Sequence, residues 1–328
     1  MKNVLLVVAG LVLMAGSGAY AYLALMEPNL APAKDIKLEI TPQRLERGKF
    51  VFEVMADCVG CHSERDWTKF AGPVKEGRLG AGFQFPAALG FPGDVVAPNI
   101  TPDRETGIGS WTDGEKIRAI REGISKDGHA LFPFMPYRSF RQMSDEDVYA
   151  VVAYMNTLPP IRNQLPRTKL SFPVNYLIKT MPAPVTAPIS SPSKSDALHY
   201  GEYLVTMANC MECHSQAEKG EIVKGTEFAG GRVFQFGPVS VLSANITPEM
   251  ITGIGSWDEE QFISKFQGYS QLTRDNAPMA SQANFTIMPW LHLSKLPEDD
   301  LRAIYTFLRT VKPVRNAVEP HKPLIPQS

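Results

Sequence analysis

All four cysteines of this 328-residue chain stand in two copies of one pentapeptide, Cys58-Val59-Gly60-Cys61-His62 and Cys210-Met211-Glu212-Cys213-His214. No other feature constrains the fold as tightly. The pattern fastens a haem to a polypeptide, with two thiols for the vinyl groups and a histidine for the iron, and it leaves no cysteine for a structural disulfide. A lone Cys-x-x-Cys could serve as a redox dithiol or half a zinc site. Two copies 152 positions apart, each followed by histidine, are not arranged as those sites are.

The surrounding sequence is duplicated as well. Asn99-Ile100-Thr101-Pro102 and Thr106-Gly107-Ile108-Gly109-Ser110-Trp111 recur as Asn245-Ile246-Thr247-Pro248 and Thr252-Gly253-Ile254-Gly255-Ser256-Trp257. Phe70-Ala71-Gly72 recurs as Phe228-Ala229-Gly230, and Met135-Pro136 as Met288-Pro289, in the same order. Each half is expected to open with a helix running into its motif, near Leu45–Ala56 and Ala197–Ala208. A second helix follows each tryptophan. Thr112 and Glu115 form a capping box for the first, Ile117, Ile120 and Ile124 give it an apolar face, and Gly123 lies near its end. Its counterpart carries Phe262, Ile263 and Phe266 and stops at Gly268. A closing helix holds Val148, Val151, Val152, Met155 and Leu158 behind a Ser144/Asp147 cap. Leu301, Ile304, Tyr305 and Leu308 repeat it, with Pro297 at a first-turn position.

Between the halves, prolines such as Pro182, Pro184, Pro188 and Pro192 forbid a helix interior or central strand. This stretch reads as a semi-rigid linker lying along both halves. With 33 basic and 34 acidic residues and no basic stripe, nucleic acid is not an expected partner. Val4 to Met26 contains no charge and would span about 34 Å as a helix, against about 30 Å of hydrocarbon. A retained anchor with its N-terminus in the cytoplasm is the expectation. Cleavage after a signal is the competitor, since Ala19-Tyr20-Ala21 resembles a small-residue cleavage site. Either way residues 27 onward are exported to a bacterial periplasm.

A haem iron so attached needs two axial ligands, and His62 and His214 supply one each. For the other, Met135, Met143, Met155 and His129 compete in the first half, and Met250, Met279, Met288 and His292 in the second. A step of 153 positions carries Met135 to Met288, each followed by proline and an aromatic residue, but carries His129 to Gln282 and Met143 to Leu296. Met155 falls on the buried stripe. Met135 and Met288 are therefore the expected ligands, presented by a loop that proline stiffens. Thioether ligation raises the potential and leaves both irons six-coordinate, which suits electron transfer. Trp111 and Trp257 could contact haem propionates or be buried anchors, and Arg78 and Arg232 are further propionate candidates. His129, His199, His292 and His321 read as surface or packing residues.

Phe-Ala-Gly, Asn-Ile-Thr-Pro-(Asp/Glu), Thr-Gly-Ile-Gly-x-Trp and Met-Pro-Tyr after Cys-x-x-Cys-His together resemble the cytochrome c subunits of periplasmic membrane-bound alcohol, gluconate and related dehydrogenases, over about residues 43–175 and 196–316. The resemblance implies His62 with Met135, and His214 with Met288, as axial pairs. Familiar members carry three haem domains. With two motifs, and a short proline-broken tail from Pro313 to Ser328, this chain reads as a shorter dihaem carrier rather than a quinone-reducing subunit. The expected architecture is all-α: an N-terminal anchor or uncleaved signal (1–27), two tandem cytochrome c domains (43–160 and 196–316) and the proline-rich linker (161–195). Two covalent haem c groups would accept single electrons from a periplasmic dehydrogenase. They would pass them toward a cytochrome or terminal oxidase, at the periplasmic side of the inner membrane or, after cleavage, free in the periplasm. The rivals are a dihaem enzyme, such as a peroxidase or sulfur-compound oxidase, and a haem-bearing structural module.

Overall fold

The computed structural model describes residues 2–236 and 239–319. It is mostly helical and begins with an apolar helix, α1 (Lys2–Leu25). In the first half follow α2 (Pro42–Phe50), continued by a π-turn over Val51–Met55, then α3 (Cys58–His62), α4 (Asp113–Glu122), α5 (Tyr137–Phe140) and α6 (Asp145–Met155). A single-turn helix, α7 (Val174–Leu177), lies between the halves. The second half repeats the order with α8 (Ala197–Met207), α9 (Cys210–Cys213), α10 (Glu259–Gln267), α11 (Trp290–Leu293) and α12 (Glu298–Leu308). Strand pairing among the described residues is confined to short antiparallel ribbons, the longest being Val233–Phe236 with Val239–Leu242.

Local chemistry sets these boundaries. Thr112 and Glu115 make the expected capping box, and Gly123 ends α4 at φ +73°. Asp258 and Gln261 form a second box at the start of α10. Ser144 accepts from the Asp147 amide at the start of α6. Pro297 differs from expectation by one position: it is the cap residue of α12, with extended backbone, and Glu298 is the first helical residue.

Each half is built on a close helix crossing. A Cβ on Gly48 of α2 would lie 2.0 Å from the Ala150 carbonyl of α6, and one on Gly201 of α8 would lie 1.9 Å from the Ala303 carbonyl of α12. The missing side chains bring the backbones into contact and let the stripes behind them meet. Phe52, Met55, Ile117, Ile120, Val148, Val151 and Val152 are buried around the first crossing; Leu204, Met207, Phe262, Ile263, Leu301, Ile304 and Leu308 surround the second.

The halves join by a reciprocal exchange. Helix α5, which follows Met135-Pro136, packs on α8, while α11, which follows Met288-Pro289, packs on the π-turn at the end of α2. Buried Asp147 ties the first joint. It accepts from Arg47 Nε and Nη2 at 2.6 and 2.8 Å and from the Tyr203 hydroxyl of α8 at 2.5 Å. At the second joint Phe70 stacks on Tyr269, with centroids 5.4 Å apart, and Tyr269 packs on Trp290 at 4.6 Å. Residues 161–195 are not slack. Asn163 Nδ2 donates to Ala81 O, Leu170 pairs with Gly93, and Lys194 reaches Asp300 of α12 at 3.2 Å.

Replacing Gly48 or Gly201 by alanine should force its crossing apart and cost about 1–3 kcal/mol, the usual range for overpacking. Denaturant unfolding of each variant measures this.

Candidate haem sites

Each motif histidine is aimed by a backbone carbonyl. His62 Nδ1 lies 2.8 Å from Pro98 O, and His214 Nδ1 lies 2.7 Å from Ala244 O. An Nδ1–H donated in this way leaves the lone pair on Nε2, the tautomer that can bind a metal. Burial pushes both imidazoles below their ordinary range, with the carbonyl bond opposing, so the neutral form is held.

The carbonyls are themselves tied down. Asn99 Nδ2 donates to Ile161 O (2.7 Å) and Thr106 Oγ1, its Oδ1 accepts from the Thr101 amide and hydroxyl, and Thr101 Oγ1 accepts from the Ile161 amide. Asn245, Thr247, Thr252 and Val314 reproduce this knot nearly bond for bond. The asparagine and threonine side chains of the repeated block therefore act within the chain, locking the loop that carries the histidine's acceptor to the segment after the closing helix.

The histidine's own carbonyl accepts from Gly82 N in one half and Gly230 N in the other. The next residue, Ser63 or Ser215, accepts through Oγ from the Gly80 or Phe228 amide. These bonds correct one alignment: the structural counterpart of Phe228-Ala229-Gly230 is Gly80-Ala81-Gly82, not Phe70-Ala71-Gly72. The latter lies in the contact between the halves, where Phe70 N donates to Pro278 O. Two signals for these residues stood unused in the sequence. Serine follows both motif histidines, and Pro160-Ile161-Arg162-Asn163 recurs as Pro313-Val314-Arg315-Asn316. Asn163 and Asn316 donate to the matching carbonyls of Ala81 and Ala229.

The Met-Pro loops share one conformation. Tyr137 N donates to Met135 O at 2.8 Å and Trp290 N to Met288 O at 2.7 Å. The central prolines have φ/ψ of −80°/45° and −78°/59°. This is the inverse γ-turn, for which proline already supplies the φ. Met135, Met288, Cys58, Cys210, Trp111 and Trp257 are all partly buried and border the apolar core. The competing residues lie elsewhere. Met143 and Met155 are inside the core, Met250 and Met279 are exposed, and so are His129 and His199. His321 is outside the described residues.

Burial raises all four thiols, Cys61 and Cys210 to about 12. Neither pair has the depressed thiol that makes a redox dithiol reactive. Among the described residues no three His, Cys, Asp or Glu side chains gather where a metal ion could sit. Asp57 adds to the rise at Cys58, Cys61 and Cys213, and Cys213 to that at Cys61, so the two motifs lie within electrostatic reach of each other. Asp57 occupies the left-handed region (φ 44°), as does Asn209 before the second motif (φ 53°), residue types that tolerate it. Its Oδ1 lies 2.6 Å from Nδ1 of His292, four residues after Met288, and both side chains are largely buried. His292 is thus a joint between the first motif and the second methionine loop rather than a surface residue. Arg78 sits 3.2 Å from Glu64, and Arg232 donates to Glu212 O; they are not structural equivalents, since Thr226 holds the turn position of Arg78.

Residues 45–159 match the family model described as cytochrome c. This stretch is a cytochrome c domain. That family implies a covalently bound haem c, and Cys58, Cys61 and His62 have the order, spacing and ring orientation it needs. The chain is similar to the cytochrome c subunit of alcohol dehydrogenase (quinone) from Gluconobacter oxydans, 29% identical over 281 residues, covering 82% of this chain and 55% of the relative. The fructose dehydrogenase cytochrome subunit of Gluconobacter japonicus is 29% identical over 283 residues, covering 81% and 52%. A diheme cytochrome c-type protein of Cereibacter sphaeroides is 28% identical over 276 residues, covering 81% and 85%. The chain spans about half the length of the two dehydrogenase subunits.

Replacing His292 by alanine strands a largely buried carboxylate and should cost about 1–3 kcal/mol. Asp57→Asn suits the backbone, as Asn209 shows. A double-mutant cycle on unfolding should return a coupling of about 0.5–3 kcal/mol between the two; additive effects would show that the contact carries no weight.

Proposed function

We propose that the chain is a dihaem cytochrome c that relays single electrons on the periplasmic side of a bacterial inner membrane, held there by α1. One observation carries this reading. A carbonyl on the motif histidine and a γ-turn at the Met-Pro pair occur twice in matching form, once in each half. Residues 43–160 and 196–316 are then two tandem cytochrome c domains, and 161–195 is their proline-rich connection. The similarity to dehydrogenase cytochrome subunits supports a periplasmic dehydrogenase as donor, with another cytochrome or a terminal oxidase as acceptor.

Cys58, Cys61, Cys210 and Cys213 would hold two haem c groups, with His62, Met135, His214 and Met288 at their irons. Bound haem c supplies reversible one-electron exchange at iron. The chain's part is to keep that exchange free of rearrangement. The carbonyls of Pro98 and Ala244 hold the imidazoles in one tautomer. The γ-turns hold the methionine loops rigid, and the reciprocal joints keep one half from moving against the other. Trp111 and Trp257, and beyond them Arg78 and Arg232, are the candidates for contact with the propionates. His62 with Met135, and His214 with Met288, would hold the two irons, a ligand set that suits electron transfer rather than the binding of a substrate.

Mass spectrometry should find two covalent haems on the wild-type chain and one after Cys61→Ala or Cys213→Ala. The oxidised protein should show the methionine-to-iron charge-transfer band, and Met135→Ala or Met288→Ala should each remove about half of it and lower that site's potential. A wild-type protein that turns high-spin with peroxide and consumes it would instead be an enzyme.

A further inference from the structure

Helix α1 does not end freely. Its last turns pack on α7 and the residue before that helix pair's proline. The Tyr20 ring lies 6.4 Å from that of Phe172 and 5.8 Å, edge-on, from that of Tyr176; the two tyrosine hydroxyls are 3.4 Å apart. Phe172 and Tyr176 pack on one another at 6.1 Å. Lys179 closes the assembly, its Nζ donating to Ala24 O at 3.2 Å and Met26 O at 2.9 Å while lying 5.5 Å from the Tyr176 ring. Those carbonyls are orphans of the helix C-terminus, where a positive charge also meets the negative end of the helix dipole. Yet the cluster is not covered: Phe172 is 67% exposed and Leu177 47%, beside Tyr20, Tyr22 and Leu25 at 53%, 69% and 81%.

We propose that residues 172–179 form a membrane seat at the foot of α1, with Phe172 and Leu177 entering the boundary between headgroups and acyl chains of the same bilayer that α1 crosses. The inference rests on α1 being retained as the anchor. Its occupant is a lipid surface because the exposed patch continues directly from an apolar helix, Asn3–Leu25, that has no buried face. Depth agrees. The 23 residues of that span rise about 34 Å against about 30 Å of hydrocarbon, and Tyr20 stands about 7.5 Å before its end, so the Tyr20–Phe172 contact falls close to the boundary. Aromatic rings with a polar edge, and a lysine reaching out to the polar side, are the groups that settle there.

The seat has a consequence for the relay. Residues 172–179 belong to the connection between the halves, which is bonded to the first half through Asn163 and Thr168 and to the second through Lys194. The stretch before α2 is also laid down, with Leu38 N donating to Asp113 and Arg118 to Ala31 O. Both halves are thereby held at one height and tilt over the membrane instead of swinging on a tether.

The test uses the full chain in phosphatidylcholine vesicles doped with a phosphatidylcholine bearing a diazirine in its acyl chain, with adducts mapped by tandem mass spectrometry after photolysis. Adducts are expected on α1 and also on residues 172–177. The double variant Phe172→Asp, Leu177→Asp should stay in the membrane with its haem content unchanged while adducts on that segment fall about tenfold. Adducts confined to α1 in the wild-type chain would overturn the seat and leave the anchor standing; that is also the outcome if the patch receives a protein instead of lipid. A mature N-terminus at or after Tyr22, read from the same digest, would overturn the anchor and the seat together.

Discussion

The backbone contact of Gly48 with Ala150, repeated by Gly201 with Ala303, is the constraint from which the rest of each half follows. The first helix of a half runs into its Cys-x-x-Cys-His motif, and the last begins a few residues after its Met-Pro loop. A crossing without intervening side chains therefore constrains how far the motif at the end of the first helix lies from the Met-Pro loop before the last. The buried stripes of α2, α4 and α6, or of α8, α10 and α12, close around that crossing.

The segments that orient the motif histidines are loops, and the structure stiffens them by hydrogen bonds among buried polar side chains. Asn99 and Thr101, or Asn245 and Thr247, spend their polar atoms on the segment beyond the closing helix, and so fix the carbonyl that orients the histidine. The γ-turn at Met135 or Met288 needs only proline and one amide. A polar knot suits this task because each hydrogen bond removes one specific freedom, while Ile100, Ile108 and Ile254 seat the same loops on the core. The second level of order is the exchange between halves. Asp147 takes Arg47 from its own half and Tyr203 from the other, and Asp57 meets His292 beside the second methionine loop. These contacts join the two similar halves.

Much of this was legible beforehand. The helix stripes, the Thr112–Glu115 box, the Ser144 cap and the special standing of Met135 and Met288 follow from periodicity and register, which act over a few residues or between matching positions. The Phe-Ala-Gly equivalence failed because identical letters outweighed spacing. Gly80-Ala81-Gly82 shares only Ala-Gly with Phe228-Ala229-Gly230, but its amides make the same bonds, and the first-half Phe70-Ala71-Gly72 was free to serve the joint between halves. Asp57 and His292 were hidden for a different reason. They are 235 positions apart, and no local pattern marks two residues that meet only after both halves have folded.

The sequence by itself determined the chemistry: two thiol pairs with their histidines, two Met-Pro loops, a duplicated helical unit and an apolar N-terminal run. Those are properties of residue type and spacing. Tertiary structure alone decided the use made of the repeated Asn-Ile-Thr block, the true register of the glycines behind each histidine, the meeting of Asp57 with His292 and the docking of Phe172 and Tyr176 against Tyr20. Each of these depends on which surfaces come together, and in a duplicated chain two nearly equal halves leave that choice to a few unlike residues at their contact.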